Sequence, residues 1–219
     1  MNVKGMQRTD NRSPRILAIC LASLMGCTGT NEDAAQETSP MSAIAMADNV
    51  CSLCHGLTGE SVSPKVPKLA GQQKDYLTSQ LTDFTQHRRS NAPGNRYMGG
   101  LTRLTGTQIV ELAEYFSSQS AMKAQTDTPD TRGESIFRQG LPQTGIAACS
   151  ACHGADGQGN GKVPRVAGQH AMYMVRQILL LQQSVQRPHG APIKQVDHAL
   201  SQADAESVAQ YMATLGARQ

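Results

Sequence analysis

One pentapeptide pattern occurs twice in this chain of 219 residues, as CSLCH at residues 51–55 and as CSACH at residues 149–153. The similarity extends further, because PKLAGQ at residues 67–72 corresponds to PRVAGQ at residues 164–169. The spacing between pentapeptide and hexapeptide differs by a single residue between the two copies. Self-similarity at a fixed period predicts a duplicated architecture of two domains, each about ninety residues long.

The chemistry of the pentapeptide explains its spacing. The C-x-x-C-H pattern is the attachment signature of a c-type haem. Two thiols separated by two residues reach the same porphyrin and each adds to one vinyl group, while the histidine that follows supplies an imidazole to the iron. We therefore expect two covalently bound haems. The predicted attachment residues are Cys51, Cys54, Cys149 and Cys152, and the predicted proximal iron ligands are His55 and His153.

Two other uses of a cysteine pair fit the sequence less well. A zinc site normally draws two ligand pairs from within a few tens of residues, whereas these pairs lie 98 positions apart. A thiol-redox pair of the thioredoxin type is expected near a βαβ pattern, and the sequence shows no such pattern.

The N-terminus has the organisation of an export signal. Four basic residues precede an apolar run at residues 16–26, which is too short to span a bilayer. The run ends in LMGC, which resembles a bacterial lipobox, so we expect cleavage before Cys27 and lipidation of that residue. An ordinary cleaved signal and an uncut anchor are the alternatives. Thr28 rather than Asp after Cys27 favours the outer membrane, by resemblance to lipoprotein sorting on the periplasmic side of a Gram-negative envelope.

Composition shifts divide the chain into five parts. We expect a signal peptide at residues 1–26, the lipidated Cys27 and a flexible tether at 27–39, a first domain at 40–119, a linker at 120–130 and a second domain at 131–219. The signal peptide carries four basic residues and one acidic residue, which accounts for the whole net charge of +3. The remaining chain is near neutral and gives no indication of nucleic-acid binding.

Apolar periodicity and capping patterns predict an all-α fold. Ser39 is expected to cap a first helix that has Pro40 at its first position and runs toward Cys51. In the second domain, Thr131 is expected to cap the counterpart helix, with Glu134 three residues later completing a capping box. The last helix of each domain is expected to begin at Thr105 and at Ser201, each with a suitable partner three residues later. A middle helix follows each hexapeptide, so that three helices and long loops surround each haem.

The two C-x-x-C-H-G motifs and the two P-x-x-A-G-Q segments together resemble the dihaem cytochromes c of the cytochrome c4 type, over residues 40–219. The resemblance implies two tandem class I cytochrome c domains with their haems close together, and electron transfer in the periplasm without catalytic side chains. It also implies that the carbonyl groups of Pro67 and Pro164 accept a hydrogen bond from the proximal histidines. The resemblance places Met98 as the sixth ligand of the first iron.

The second domain departs from this pattern at the sixth iron ligand, because the position that matches the methionine of the first domain is Lys194. Lys194 is one candidate, through a deprotonated amine. His189 and His198 are others, as neutral imidazoles, and a five-coordinate iron is a further possibility. Met172 and Met174 are expected to pack on the middle helix instead. Without thioether ligation, the second haem is expected to have the lower reduction potential.

Several polar residues outside the motifs also carry expectations. His87 and His170 are expected on the surface rather than at a metal. The basic residues around the hexapeptides have three possible roles: pairing with haem propionates, steering an acidic partner, or forming a solvated charged face. These residues are Lys65, Lys68, Lys162 and Arg165.

Two classes of function are compatible with these features. The leading hypothesis is a membrane-tethered electron carrier, not an enzyme, between a quinol-oxidising complex or dehydrogenase and a terminal oxidase or reductase. The alternative is a small dihaem oxidoreductase or gas-binding cytochrome with an open or labile sixth site at the second haem. Against the alternative, the sequence leaves no further cysteine for a sulfur-type ligand once Cys20 has left with the signal and Cys27 is lipidated. It also shows no insertion that would build a substrate pocket.

Overall fold

The computed structural model describes residues 41–89, 92–100, 103–125, 128–182 and 200–217, all of which belong to one compact unit. This part of the chain is helical, as expected, and a π-helical turn (Ala47–Cys51) joins the first two helices. The helices are α1 (Ala43–Met46), α2 (Ser52–His55), α3 (Lys74–Thr85), α4 (Ala92–Met98), α5 (Gly106–Ser117), α6 (Thr131–Gln139), α7 (Ser150–His153), α8 (Ala171–Gln182) and α9 (Gln202–Thr214).

The first domain is organised around α5, which packs against both α1 and α3. Ile109, Leu112 and Phe116 recur at intervals of three and four residues on α5, and all three are buried. This spacing places them on one helix face. Leu77 and Phe84 of α3 are also buried, and because they are seven residues apart they lie on one face of this middle helix.

The second domain is organised around α9, which packs against α6 and α8. Phe137 from α6 and Val208 from α9 are fully buried in its core. Met174 of α8 packs in the same core, as expected. Met172 does not, because it lies on the other side of α8 and remains 53% exposed.

Two helix starts agree with the sequence analysis. Thr105 and Gln108 form a reciprocal capping box at the start of α5. The Ser201 hydroxyl accepts a hydrogen bond from the backbone N–H of Asp204 at the start of α9. In both cases the capping partners are three residues apart, so the local sequence contains the whole motif.

Two other helix starts differ from the expectation. The cap of α1 is Ser42, whose side chain accepts from Ala45 N–H, whereas Ser39 lies outside the described residues. In the second domain Thr131 is the first helical residue, and Asp130 is the cap because its carboxylate accepts from Gly133 N–H. Ser, Thr and Asp all cap helices well. Because two such residues lie within one helical turn at each of these starts, the sequence did not distinguish which of them is the cap. Within the described part of the chain, no helix is long and apolar enough to cross a bilayer.

Candidate haem sites

Each C-x-x-C-H segment ends in a short helical turn, α2 in the first domain and α7 in the second. Cysteines three residues apart and the histidine after them lie on one side of such a turn. Each turn ends at a glycine, Gly56 or Gly154, with φ of 77° and 83°. A side chain is disfavoured at that φ, and a Cβ on Gly56 would lie 2.9 Å from the Glu60 carbonyl oxygen. The glycine after each motif therefore allows the chain to turn back beneath the histidine.

Both motif histidines make the hydrogen bond that the resemblance implied. Nδ1–H of His55 donates to the carbonyl oxygen of Pro67 at 2.8 Å, and Nδ1–H of His153 donates to that of Pro164 at 2.9 Å. A carbonyl only accepts, so the proton is on Nδ1 and the Nε2 lone pair is available to a metal. Burial lowers the pKa of both imidazoles. Both therefore favour the neutral form, which is the form that binds iron.

The motif thiols lie in an environment suited to a thioether. Burial raises the pKa of Cys149 to about 11 and also raises the pKa of Cys51. A reactive redox thiol has the opposite property, a lowered pKa. The four motif cysteines form no disulfide. Within the described residues, no group of three or more His, Cys, Asp or Glu side chains could hold a metal ion, and so the two cysteine pairs do not combine into a zinc site.

Two glutamines at matching positions in the two domains have unsatisfied side-chain oxygens, which bears on whether a porphyrin fits these domains. The side-chain oxygens Oε1 of Gln80 and Gln177 are buried without a hydrogen-bond partner among the described residues. Gln80 lies on α3 and Gln177 occupies the same position on α8, 97 residues later. An unsatisfied buried polar group costs about 1–3 kcal/mol, so the same cost in both domains indicates a partner outside the described residues. An ionised haem carboxylate only accepts, so it would suit these glutamines with the amide rotated, so that the NH2 group takes the place of Oε1 and donates to the carboxylate.

The repeated hexapeptide links each motif turn to the last helix of its domain. In the first domain, Ala70 N–H donates to the Gly59 carbonyl at 3.2 Å and Gly71 N–H donates to the Phe116 carbonyl at 2.9 Å. The second domain repeats both bonds with the matching residues. These bonds hold the proline carbonyl at a fixed position relative to the histidine, so the hexapeptide aligns the imidazole ring.

The last residue of each hexapeptide connects the two domains. Gln169 Oε1 accepts from Lys68 N–H at 2.9 Å, and Gln169 Nε2 donates to the Lys68 carbonyl at 2.9 Å. Gln72 does the same to Arg165, accepting from its N–H at 2.6 Å and donating to its carbonyl at 3.0 Å. Neither glutamine was predicted to be a functional residue, although their repetition in both hexapeptides was the available signal.

Two of the basic residues near the hexapeptides do not form a solvated face. Lys68 is only 5% exposed, pairs with Glu60, and donates through Nζ to the Lys123 carbonyl at 2.7 Å. Nε of Arg165 donates to the Gly71 carbonyl at 3.1 Å, and burial lowers the pKa of this guanidinium. The interface between the domains covers both residues, whereas Lys65 and Lys162 are exposed.

His170 also lies at this interface, and the expectation that it is on the surface was wrong. Only 4% of the residue is exposed. Its Nε2–H donates to the Ser61 carbonyl at 2.9 Å, and its Nδ1 accepts from Gln125 Nε2 at 2.6 Å. His87, in contrast, is exposed as expected. The partner Ser61 is 109 residues away from His170, so no local pattern indicates the contact.

The residues considered as sixth ligands remain predictions. Met98 is the last residue of α4 and is half-buried. Lys194, His189 and His198 lie outside the described residues, as does Cys27.

Comparisons with known proteins agree with this geometry. The family model for cytochrome c matches residues 43–120 and 131–216. The chain is 32% identical to cytochrome c4 of Stutzerimonas stutzeri over 205 residues, which cover 89% of this chain and 96% of that protein. The solved structure of Acidithiobacillus ferrooxidans cytochrome c4 matches with a TM-score of 0.69 and 34% identity, over 75% of this chain and 98% of that one. The thiosulfate dehydrogenase electron acceptor of Thiomonas intermedia is 34% identical over 135 residues, or 58% of this chain and 60% of that protein.

Proposed function

Since this chain belongs to the cytochrome c family and is of the dihaem cytochrome c4 type, we propose that it relays electrons between redox proteins on the periplasmic side of a bacterial membrane. Its two covalently bound c-type haems supply one-electron iron chemistry, and the polypeptide binds, orients and shields them. The observation that carries the proposal is the repeated histidine–proline hydrogen bond, in two domains joined by a buried interface.

We assign the residue roles on the same basis. Residues 40–119 and 131–219 form the two domains, and residues 120–130 link them. The histidines of the two motifs are the proximal ligands, Pro67 and Pro164 orient them, and Met98 is the sixth ligand in the first domain. The covalent attachment residues are Cys51, Cys54, Cys149 and Cys152.

Whether the second haem has a firmly bound sixth ligand distinguishes an electron relay from an enzyme or a gas-binding cytochrome. Lys194, His189 and His198 are the candidates, beside an open site. The test is to add carbon monoxide to the reduced protein and to record the visible spectrum per haem. An unchanged spectrum supports a relay with two firmly ligated irons. A shift in half of the haem absorbance indicates an open or labile site, and it contradicts the pure relay.

We propose a dehydrogenase or a quinol-oxidising complex as the electron donor, and a terminal oxidase or reductase as the acceptor. The relative named as a thiosulfate dehydrogenase electron acceptor supports the first of these donors. The test compares how fast each purified donor reduces the oxidised protein. Rapid reduction by neither of them would contradict this part of the proposal.

We also propose that a lipid on Cys27 tethers the protein to the membrane, with the outer membrane favoured. Acyl chains of a lipoprotein hold a protein at a bilayer far more firmly than a single chain does. The variant Cys27→Ala is expected to move from the membrane fraction to the soluble periplasmic fraction. Density-gradient separation of the two membranes identifies the one that holds the native protein, and a soluble native protein would contradict the anchor.

A further inference from the structure

One peptide group in each domain carries two hydrogen bonds that point in opposite directions. The carbonyl of the Pro67–Lys68 peptide accepts from His55 Nδ1–H at 2.8 Å, and the N–H of the same peptide donates to Gln169 Oε1 at 2.9 Å. Gln169 belongs to the other domain. Each proximal histidine is therefore connected to the opposite domain through a single peptide plane.

The second domain repeats the arrangement with the roles of the domains exchanged. The carbonyl of the Pro164–Arg165 peptide accepts from His153 Nδ1–H at 2.9 Å, and its N–H donates to Gln72 Oε1 at 2.6 Å. Because the two connections cross the same interface in opposite directions, each domain supplies the glutamine that reaches the histidine peptide of the other.

We propose that Gln72 and Gln169 are positioning residues that tune the proximal histidine of the opposite domain, so that each domain sets part of the reduction potential of its neighbour. The inference rests on the proposed function, because it takes His55 and His153 as the iron ligands. It assigns to the interface a role in electron transfer besides holding the domains together.

The physical basis is the polarisation of the peptide. An N–H that donates to an amide oxygen increases the negative charge on the carbonyl of its own peptide, and hydrogen bonds in such chains strengthen one another. The stronger carbonyl acceptor draws the Nδ1 proton and makes the imidazole a more basic ligand. A more basic ligand favours ferric iron, and so loss of the glutamine is expected to raise the reduction potential of the haem in the other domain.

The glutamines are held firmly enough to have this effect. Both are 4% exposed. Oε1 of Gln169 also accepts from the N–H of His170 at 3.0 Å, and Oε1 of Gln72 accepts from the N–H of Gln73 at 2.9 Å. Each amide oxygen thus accepts two hydrogen bonds, one for each of its lone pairs. Each Nε2 donates back across the interface. The amide therefore has one preferred orientation.

The test replaces each glutamine in the haem-loaded protein by leucine, which has similar size and no hydrogen-bonding group. The potentials of the two haems are resolved by redox titration followed by nuclear magnetic resonance, together with the shifted ring-proton signals of each ferric-bound histidine. Gln169→Leu is expected to raise the potential of the first haem and to move the His55 signals, with the second haem unchanged. Gln72→Leu is expected to do the reverse.

For each leucine variant we expect the ferrous-to-ferric ratio of the affected haem to rise roughly two- to fourfold at fixed potential. This rise corresponds to about 18–36 mV in reduction potential, because a tenfold change for one electron is about 59 mV. Gln73→Leu is the matched control. The Gln73 side chain also crosses the interface, but its Nε2 donates to the Gln158 carbonyl at 2.8 Å and not to a peptide that receives an imidazole. We expect this variant to leave both potentials in place.

Three results would overturn the inference: a shift at the haem of the mutated domain, equal shifts at both haems, or no shift. Equal shifts indicate that the interface has loosened and admitted water. If a leucine variant does not fold, Gln169→Met is the second variant, because methionine is unbranched like glutamine and also removes the hydrogen bonds to the Lys68 N–H and carbonyl. It is expected to raise the potential of the first haem and to leave that of the second unchanged. Wild-type protein without iron-shifted His55 and His153 signals would instead refute the assignment of the proximal ligands, and with it the proposed function.

Discussion

The crossing of α6 and α9 depends on the absence of a side chain at Gly133. A Cβ built on this residue would lie 2.0 Å from the Ser207 carbonyl oxygen and 2.9 Å from Tyr211 Cβ. Contacts under 3.0 Å are essentially never seen for real Cβ atoms. Because the closest atom belongs to the backbone of α9, the variant Gly133→Ala must move one helix relative to the other by about 1 Å, the difference between the clash and a tolerable contact.

The expected loss of stability follows from two opposing effects. Overpacking in a well-packed core costs about 1–3 kcal/mol, and a clash with main-chain atoms belongs at the upper end of that range. Alanine is favoured over glycine inside a helix by about 1 kcal/mol. The net expectation is a loss of about 2 kcal/mol, or a melting temperature lower by roughly 4–8 °C for a protein of this size.

The assay is urea unfolding of the haem-loaded protein, followed by circular dichroism with wild-type protein alongside. An unchanged m-value with a lower midpoint identifies a true loss of stability. Gly106→Ala is the matched control, because Gly106 is the first residue of α5 and a Cβ there would meet no atom within 4 Å. We expect the control to be as stable as wild type or slightly more stable. Equal midpoints for Gly133→Ala and the control would refute the reasoning.

Three further predictions concern the core, the interface and the first iron. Phe137→Ala removes a fully buried ring and is expected to lower the free energy of unfolding by about 3–5 kcal/mol in the same assay. Burial lowers the pKa of His170 from 6.5, so the unfolded chain binds a proton that the native one does not. Stability should therefore fall as the pH drops below 6.5, by at most about 1.4 kcal/mol per pH unit. His170→Gln should flatten that part of the pH profile, and an unchanged slope would contradict the assignment. Met98→Ala is expected to lower the potential of the first haem and to make it bind carbon monoxide, as checked by redox titration and visible spectra; a protein that still resists carbon monoxide would exclude Met98 as the ligand.

The cysteine motifs and two of the helix starts could be predicted because their interactions span only a few residues. The Thr105–Gln108 capping box closes over three residues, and the motif turns are single helical turns. The first-helix start was harder to predict, because Ser39 and Ser42 both suit a cap and are only three residues apart. The π-helical turn Ala47–Cys51 before the first motif also had no signal in the apolar pattern.

Local features of the chain were enough to predict the duplicated architecture, the helical class and the residues that point to two haems, because motif spacing and side-chain chemistry are local properties. The environments of Lys68, His170 and the two hexapeptide glutamines depend on contacts between residues that are far apart in the sequence. Lys68 and Gln169 are 101 residues apart and still share two hydrogen bonds. A basic or amide side chain is normally exposed, and only the docking of one domain on the other buries these residues and supplies the partners that make their burial favourable.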